Sequence, residues 1–346
     1  MSRPRVYVTR RLPGGALELL AQHADVGVWE GELPPPAEVL LRQAATCDGL
    51  FTLLTDRIDE KLLEAAPRLL VVSNMATGFD NVDLAAASRK DVLVTRTPGV
   101  LSETVADFTF ALLLAAARRV VEADRHVRQG LWKSWGPEVM LGQDVHGATL
   151  GIVGLGGVGT EVARRARGFG MRVVYHSRTP KPALERRYRL TCLPLDDLLR
   201  QADFVTLHAP LAPETRHLIG QRELDLMKPT AVLVNTARGP LVDQAALYQT
   251  LAERRIAGAA LDVTDPEPMA PDDPLLALDN VVVTPHIASA SVVTRSRMAL
   301  LAAQNLLAAL GGQVPRDTAN PEIAHRWRAA FRRRQARLYA NQSGHD

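Results

Sequence analysis

Cysteine is scarce: Cys47 and Cys192 are the only two in 346 residues. Two thiols cannot build a disulfide framework or a cysteine-based metal site, and such sparing use suits a reducing compartment. Long apolar runs are missing as well. The longest, 108–117 (FTFALLLAAA), is closed off by Asp107 and Arg118 and is too short to span a bilayer. The opening MSRPRVYVTRR is basic but lacks the apolar core of a secretory signal, so a cytoplasmic protein without membrane or metal is expected. A surplus of one charge is absent from most of the chain. The net +3 comes from 321–346, where six arginines face only Glu322 and Asp346, so a globally basic nucleic-acid binder is excluded. With 47% hydrophobic and 23% charged residues, disorder and fibrous repeats are excluded too, and the length suits two domains.

What is present is an alternation of short apolar runs with longer helix-period segments, the signature of βαβ units and parallel sheets. Strands are expected at 5–9, 49–54, 69–73 and 92–95. After Thr97-Pro98 the texture changes to one long helix over 102–129, with Ser102 as N-cap and Gly130 beyond its end. Further strands are expected at 149–153, 172–176, 204–208, 231–235, 258–263 and 281–284, and a helix over 292–311 returns to the first unit. The fold class is therefore α/β, with two doubly wound parallel-sheet domains: 1–98 together with 289–320, and 99–288. A basic extension occupies 321–346.

The clearest local signal is GLGGVG, in which Gly154, Gly156, Gly157, Val158 and Gly159 lie between an expected strand and an expected helix. In that setting Gly154 makes a tight turn, Gly156 lets a pyrophosphate approach the backbone and Gly159 packs helix on strand, while the helix N-terminus faces the phosphates. The next strand ends in Ser177, Arg178 and Thr179 with no carboxylate. An NAD site uses an acidic side chain there to bind the ribose hydroxyls, whereas a 2′-phosphate favours arginine, so NADPH is expected to be preferred, with NAD possible.

Three later segments each end an expected strand, at the sheet edge where ligands bind. They are VNTARG with Arg238, DVTDPEP with Glu267 and TPHI with His286. Together with GLGGVG, HAPLAPET at 208–215, LMKPTAVLVNTARGPLVD at 226–243, GAALDVTDPEP and TPHIAS, and with NMATGFDN at 74–81, they make the chain resemble the D-isomer-specific 2-hydroxyacid dehydrogenases over most of its length, and within them the glyoxylate/hydroxypyruvate reductases. The resemblance implies a Rossmann dinucleotide-binding domain inserted in a flavodoxin-like substrate domain, and an Arg238, Glu267 and His286 catalytic set. Hydride transfer to a keto carbon builds negative charge on its oxygen and calls for a proton. His286 is the expected acid, an imidazole being suited to proton transfer near neutrality, and Glu267 its orienting partner; Arg238 offers a planar fork for a carboxylate or carbonyl oxygen.

By the same resemblance Asp262 bonds the nicotinamide amide, Thr236 and Ala237 line the cofactor, and Thr104, Pro210, Thr215 and Ala288 contribute to its site. Ala288 stands where the family often has glycine. Backbone N–H groups around Ala76, Thr77 and Gly78 are expected to bind the substrate carboxylate, and Leu53 to wall the pocket. The substrate is then a small 2-oxo acid, glyoxylate or hydroxypyruvate. Alternatives within the resemblance are phosphite or larger 2-ketoacid dehydrogenases, and a dinucleotide-gated corepressor-like binding protein. The apolar Leu112, Leu113, Trp132 and Trp135 within 102–145 point to a homodimer. The segment 326–339, with Trp327, Phe331 and Leu338 among six arginines, is expected to be a solvated extension or, less readily, a basic amphipathic surface.

Overall fold

The structure, a computed structural model, describes residues 3–342, and of 335–342 only the helical backbone. The chain divides into two compact units, Met1–Val100 with Ser291–Asp346, and Leu101–Ala290.

The first unit is built on five parallel strands: β1 (Arg5–Val8), β2 (Asp25–Val28), β3 (Gly49–Thr52), β4 (Val71–Asn74) and β5 (Leu93–Thr95), in the order β2-β1-β3-β4-β5. This is the flavodoxin-like order. Strands β3, β4 and β5 are buried on both faces, which is why they read as continuous apolar or small residues. Strand β2 (DVGV) went unread in the sequence because it is a half-exposed edge strand with a charge and a glycine. Gly27 leaves room there for the Tyr7 ring, which a Cβ would approach to 3.3 Å and press aside by a few tenths of an ångström. The helix Val292–Leu310 covers β3 and β4; Ser73 donates to the Ala302 carbonyl at 2.7 Å, and Leu306 fills the space above Gly49.

The final helix, Ala324–Gln342, corrects the expectation of a solvated extension. Trp327 is fully buried, donates its indole N–H to the Leu70 carbonyl at 2.9 Å and stacks on Phe331, which in turn sits over Gly312. One turn further on, Arg334 pairs with Asp48, itself bonded by Arg68 and the Arg5 backbone N–H. Residues 327, 331 and 334 share one face, so the segment reads as basic overall while its apolar stripe is spent on the sheet. Arg328, Arg332 and Arg333 remain exposed. The side chains of Leu338 and Tyr339, part of the same expectation, lie outside the described residues.

The second unit has seven parallel strands: β6 (Thr149–Val153), β7 (Arg172–His176), β8 (Thr191–Cys192), β9 (Phe204–Leu207), β10 (Val232–Asn235), β11 (Gly258–Leu261) and β12 (Val281–Val283). Their order, β12-β11-β10-β9-β6-β7-β8, is that of a dinucleotide-binding sheet with one strand added, and it reverses between β6 and β9. The expected single helix over 102–129 is two helices, Ser102–Ala117 and Val120–Arg128, because Arg119 takes a left-handed φ of 52° and turns its guanidinium back to Glu122. Nor is Ser102 the N-cap. Leu101 holds that position without a side-chain cap, and the Ser102 hydroxyl lies instead against Gly157. Among the described residues no helix is long and apolar enough to cross a membrane.

Asp203 ties the starts of β6 and β9 together, accepting from the Thr149 N–H at 2.8 Å and from Lys228 Nζ at 2.7 Å. Burial pushes its carboxyl up, but the Lys228 and Thr149 hydrogen bonds outweigh this and hold it below the usual aspartate range. Its stabilising effect is therefore complete above the unfolded value of about 3.9 and is lost as pH falls through the lower folded value. Asp203→Asn is expected to unfold at lower denaturant than the parent at pH 7, with the gap closing as pH is taken below about 4. Trp327→Ala is expected to cost about 3–5 kcal/mol in urea unfolding, the range for a fully buried Trp, if the last helix is part of the first unit's core; a change of a few tenths would mean that it is not.

Candidate active site

At the β6 to helix junction each glycine meets a different constraint. Gly154 has a φ of 98°, and a Cβ there would lie 2.7 Å from the Ala209 nitrogen at the end of β9. A Cβ on Gly159 would lie 2.1 Å from the Gly154 carbonyl oxygen. Gly156, by contrast, faces open space, at the N-cap of the helix Gly157–Ala166, and no side chain caps that helix. The backbone is thus tightest where helix meets strand and open where a phosphate would approach, at the point where the strand order reverses. Gly157 is crowded by Ser102, and Val158 is half-buried.

The β7 end carries Ser177, Arg178 and Thr179 on a tied loop. Ser177 donates to the Thr179 carbonyl at 2.6 Å, and the Tyr175 hydroxyl donates to Glu185 at 2.6 Å and accepts from the Lys181 N–H at 2.7 Å. Burial and the Glu185 contact push the Tyr175 hydroxyl up, so it stays protonated and can serve both partners. Arg178 and Thr179 are exposed.

Strands β10, β11 and β12 are neighbours in register, Asn235 beside Leu261 and Leu261 beside Val283, so that Arg238, Glu267 and His286 leave one edge of three adjacent strands. The turn after β10 is folded by Asn235, whose buried amide donates to the Arg238 carbonyl at 2.8 Å and accepts from the Ala237 N–H at 3.0 Å. Thr236 bonds Thr109 at 2.9 Å, and Arg238, half-buried, also reaches the Ala237 carbonyl. Gly239 packs on the backbone of Thr264, where any Cβ would overlap the carbonyl. His286 Nδ1 lies 2.6 Å from Glu267 Oε1, with the imidazole 21% exposed. A carboxylate at Nδ1 fixes that nitrogen as the donor, so Nε2 is the ring atom left to exchange a proton with a ligand.

Other expected site residues have defined local roles. The Thr215 hydroxyl closes the turn after β9 through Pro210 and Ala212. Ala288 is buried and donates its N–H to Asp262, which is 1% exposed. Thr104 lies on the helix Ser102–Ala117. In the first unit, Asn74 at the end of β4 bonds the Gly78 carbonyl and Asn81, and Asn81 reaches the Leu53 carbonyl. The Ala76 N–H donates to the Asn74 carbonyl at 2.8 Å, and the Ala76 carbonyl accepts from the Thr97 N–H at 2.8 Å.

Sequence reading missed Asn235, Thr109, Asn81 and Thr284, whose work is to hold other residues. It also assigned no role to His208, although it quoted the motif. Burial pushes the His208 imidazole down to about 3, and its Nε2 has no hydrogen-bond partner among the described residues, so the ring is neutral at working pH. No cluster of metal-ligating side chains occurs among the described residues.

A doubly wound dinucleotide-binding sheet, with a carboxylate-held histidine and an arginine on its ligand-binding edge, defines an NAD(P)-dependent oxidoreductase. Residues 110–288 match the family described as D-isomer specific 2-hydroxyacid dehydrogenase, NAD binding domain. The chain is similar to the glyoxylate reductase of Korarchaeum cryptofilum, at 52% identity over 322 residues that cover 93% of this chain and 97% of that protein. Among solved structures it resembles a protein of Thermus thermophilus, with a TM-score of 0.87, 50% identity and coverage of 91% and 99%. It also resembles an NADPH-dependent glyoxylate/hydroxypyruvate reductase of Sinorhizobium meliloti solved with NADP and malonate, with a TM-score of 0.80, 33% identity and coverage of 92% and 97%. The chain belongs to the D-isomer-specific 2-hydroxyacid dehydrogenase family.

Proposed function

We propose that this protein is a cytoplasmic, homodimeric reductase of small 2-oxo acids, taking glyoxylate to glycolate and hydroxypyruvate to D-glycerate, with NADPH preferred over NADH. The observation that carries the reading is the 2.6 Å contact between His286 and Glu267, on the same sheet edge as Arg238. The relatives at about half identity are named glyoxylate reductases, which supports glyoxylate as a substrate.

The residues fit a dinucleotide. Gly156 leaves room at an uncapped helix N-terminus for the pyrophosphate, and Arg178 and the Thr179 hydroxyl offer a cation and a donor for a 2′-phosphate, which the Ser177 hydroxyl would join by turning from the Thr179 carbonyl. When bound, the reduced nicotinamide supplies the hydride. His286 gives its Nε2 proton to the carbonyl oxygen as charge builds there, and Glu267 keeps the ring in place through Nδ1. Arg238 pairs with the substrate carboxylate and stays charged throughout. Leu53, Ala76, Thr77 and Gly78 keep the substrate-binding assignment that family resemblance implies, and Thr104, Pro210, Thr215, Thr236, Ala237, Asp262 and Ala288 the cofactor assignment.

The dimer rests on an exposed apolar stretch: Trp135 is 82% exposed, Leu141 63% and Trp132 61%, far more than an isolated surface tolerates in so short a segment. Leu112 and Leu113, by contrast, are buried in the second unit's own core. The stretch borders a cavity of about 380 Å³ whose lining combines Leu141 and Val282 with the charged Arg119, Glu122, Arg125 and Asp279.

His286→Ala is expected to lower kcat about 100-fold or more with little change in cofactor affinity, whereas Arg238→Ala should raise KM for glyoxylate and lower kcat together. Steady-state assays following reduced-nicotinamide absorbance check both, and unchanged constants would remove the residue from the mechanism. Ser177→Asp places a carboxylate where a 2′-phosphate would sit, and should move the NADPH:NADH ratio of kcat/KM toward NADH by about tenfold or more. Light scattering should give twice the 37.7 kDa chain mass, and Trp135→Asp should shift it toward one chain; a monomeric parent protein would exclude the dimer.

A further inference from the structure

Asp262, at the end of β11, receives donors from almost every residue of the segment that carries the catalytic imidazole. Its Oδ1 accepts from the Thr284 hydroxyl at 2.6 Å and from the Ile287 N–H at 2.8 Å. Its Oδ2 accepts from the Ala288 N–H at 2.8 Å, and its own carbonyl accepts from the His286 N–H at 2.9 Å. The residue is 1% exposed. Within this collar His286 adopts a φ of 53°, a left-handed conformation uncommon for a side-chain-bearing residue, which the four bonds hold in place. Four bonds from 284, 286, 287 and 288 converge on one residue of the neighbouring strand, and the imidazole hangs from the turn they define.

We propose that Asp262 is a positioning residue for His286: its carboxylate, working through Thr284, Ile287 and Ala288, fixes the left-handed turn that keeps Nδ1 on Glu267 and leaves Nε2 for the substrate oxygen. This is additional to the nicotinamide-amide contact that family resemblance implies: the carboxylate has about four lone-pair sites, and three of them serve the chain's own donors. It also explains why a carboxylate is needed. An asparagine has one oxygen, so its NH2 would be set against the Thr284 hydroxyl or a backbone N–H, and a bare N–H within the turn would lose its acceptor. Thr284 extends the same logic, since its hydroxyl donates to Oδ1 from the end of β12. The inference rests on His286 being the proton donor of the proposed reaction, and a readout that needs no turnover separates the two.

The test compares the full-length protein with Asp262→Asn, Thr284→Val and Thr284→Ser. The first readout is the imidazole N–H resonance of His286 in histidine-labelled protein, identified by its loss in Glu267→Gln and in His286→Ala. The second is the kcat and KM split with NADPH and glyoxylate. Asp262→Asn should abolish the Glu267-bonded resonance and lower kcat about 10- to 100-fold, with the cofactor KM within about twofold of the parent, as for a misplaced rather than a missing acid. Thr284→Val should lower kcat severalfold and shift the resonance, and Thr284→Ser should restore both. An Asp262→Asn protein that keeps the resonance and kcat but raises the cofactor KM would overturn the proposal in favour of the amide contact. If Asp262→Asn does not fold, an unchanged resonance and kcat in Thr284→Val overturn it equally. A parent protein that turns over no 2-oxo acid yet loses the resonance in Asp262→Asn would refute the proposed reaction and leave the positioning role standing.

Discussion

A parallel sheet sends every strand out at the same edge, and the candidate chemistry of this protein depends on that constraint. Arg238, Glu267 and His286 are separated by as many as 48 positions in the chain, yet they follow three strands that pair in register. The glycine turn follows β6 on the far side of β9, at the point where strand order reverses. Nothing local to any one of these segments makes a site. The lateral order β12-β11-β10-β9-β6 does, because it sets an acid, its orienting carboxylate, a guanidinium and a helix N-terminus along one rim.

The strands themselves were legible wherever burial on both faces forces an apolar run, as in TLGIV of β6 or VLVN of β10. Strand β2, a half-exposed edge, and the two-residue β8 carry no such pattern and went unread. The break at Arg119 was invisible for a different reason. The helical period continues across it, and only a left-handed arginine paired with Glu122 interrupts the backbone. In the last helix, composition misled: six arginines suggest solvent, but Trp327, Phe331 and Arg334 fall on one face and anchor it to the first unit.

The site was legible to the extent that function demands particular side chains. GLGGVG, Arg238, Glu267 and His286 stand out because phosphate approach, carboxylate binding and proton transfer admit few residue types. The residues that hold them do not stand out. Asn235 bonds the turn on either side of Arg238, and Thr284 donates to Asp262; neither role could be read without knowing which backbone atoms lie opposite. Those supporting bonds nevertheless decide whether the named side chains are useful, since an acid displaced by about 1 Å from its productive position delivers its proton poorly.

The central claim, that the imidazole steadied by Glu267 serves as the proton donor, is tested most directly by the structure of a ternary complex with NADP and oxamate, a non-reactive mimic of a small 2-oxo acid. The expected result places His286 Nε2 within hydrogen-bond distance, about 2.6–3.2 Å, of the oxamate carbonyl oxygen, with Nδ1 still on Glu267. An imidazole turned away from the ligand, or screened from it by packed side chains, would contradict the account.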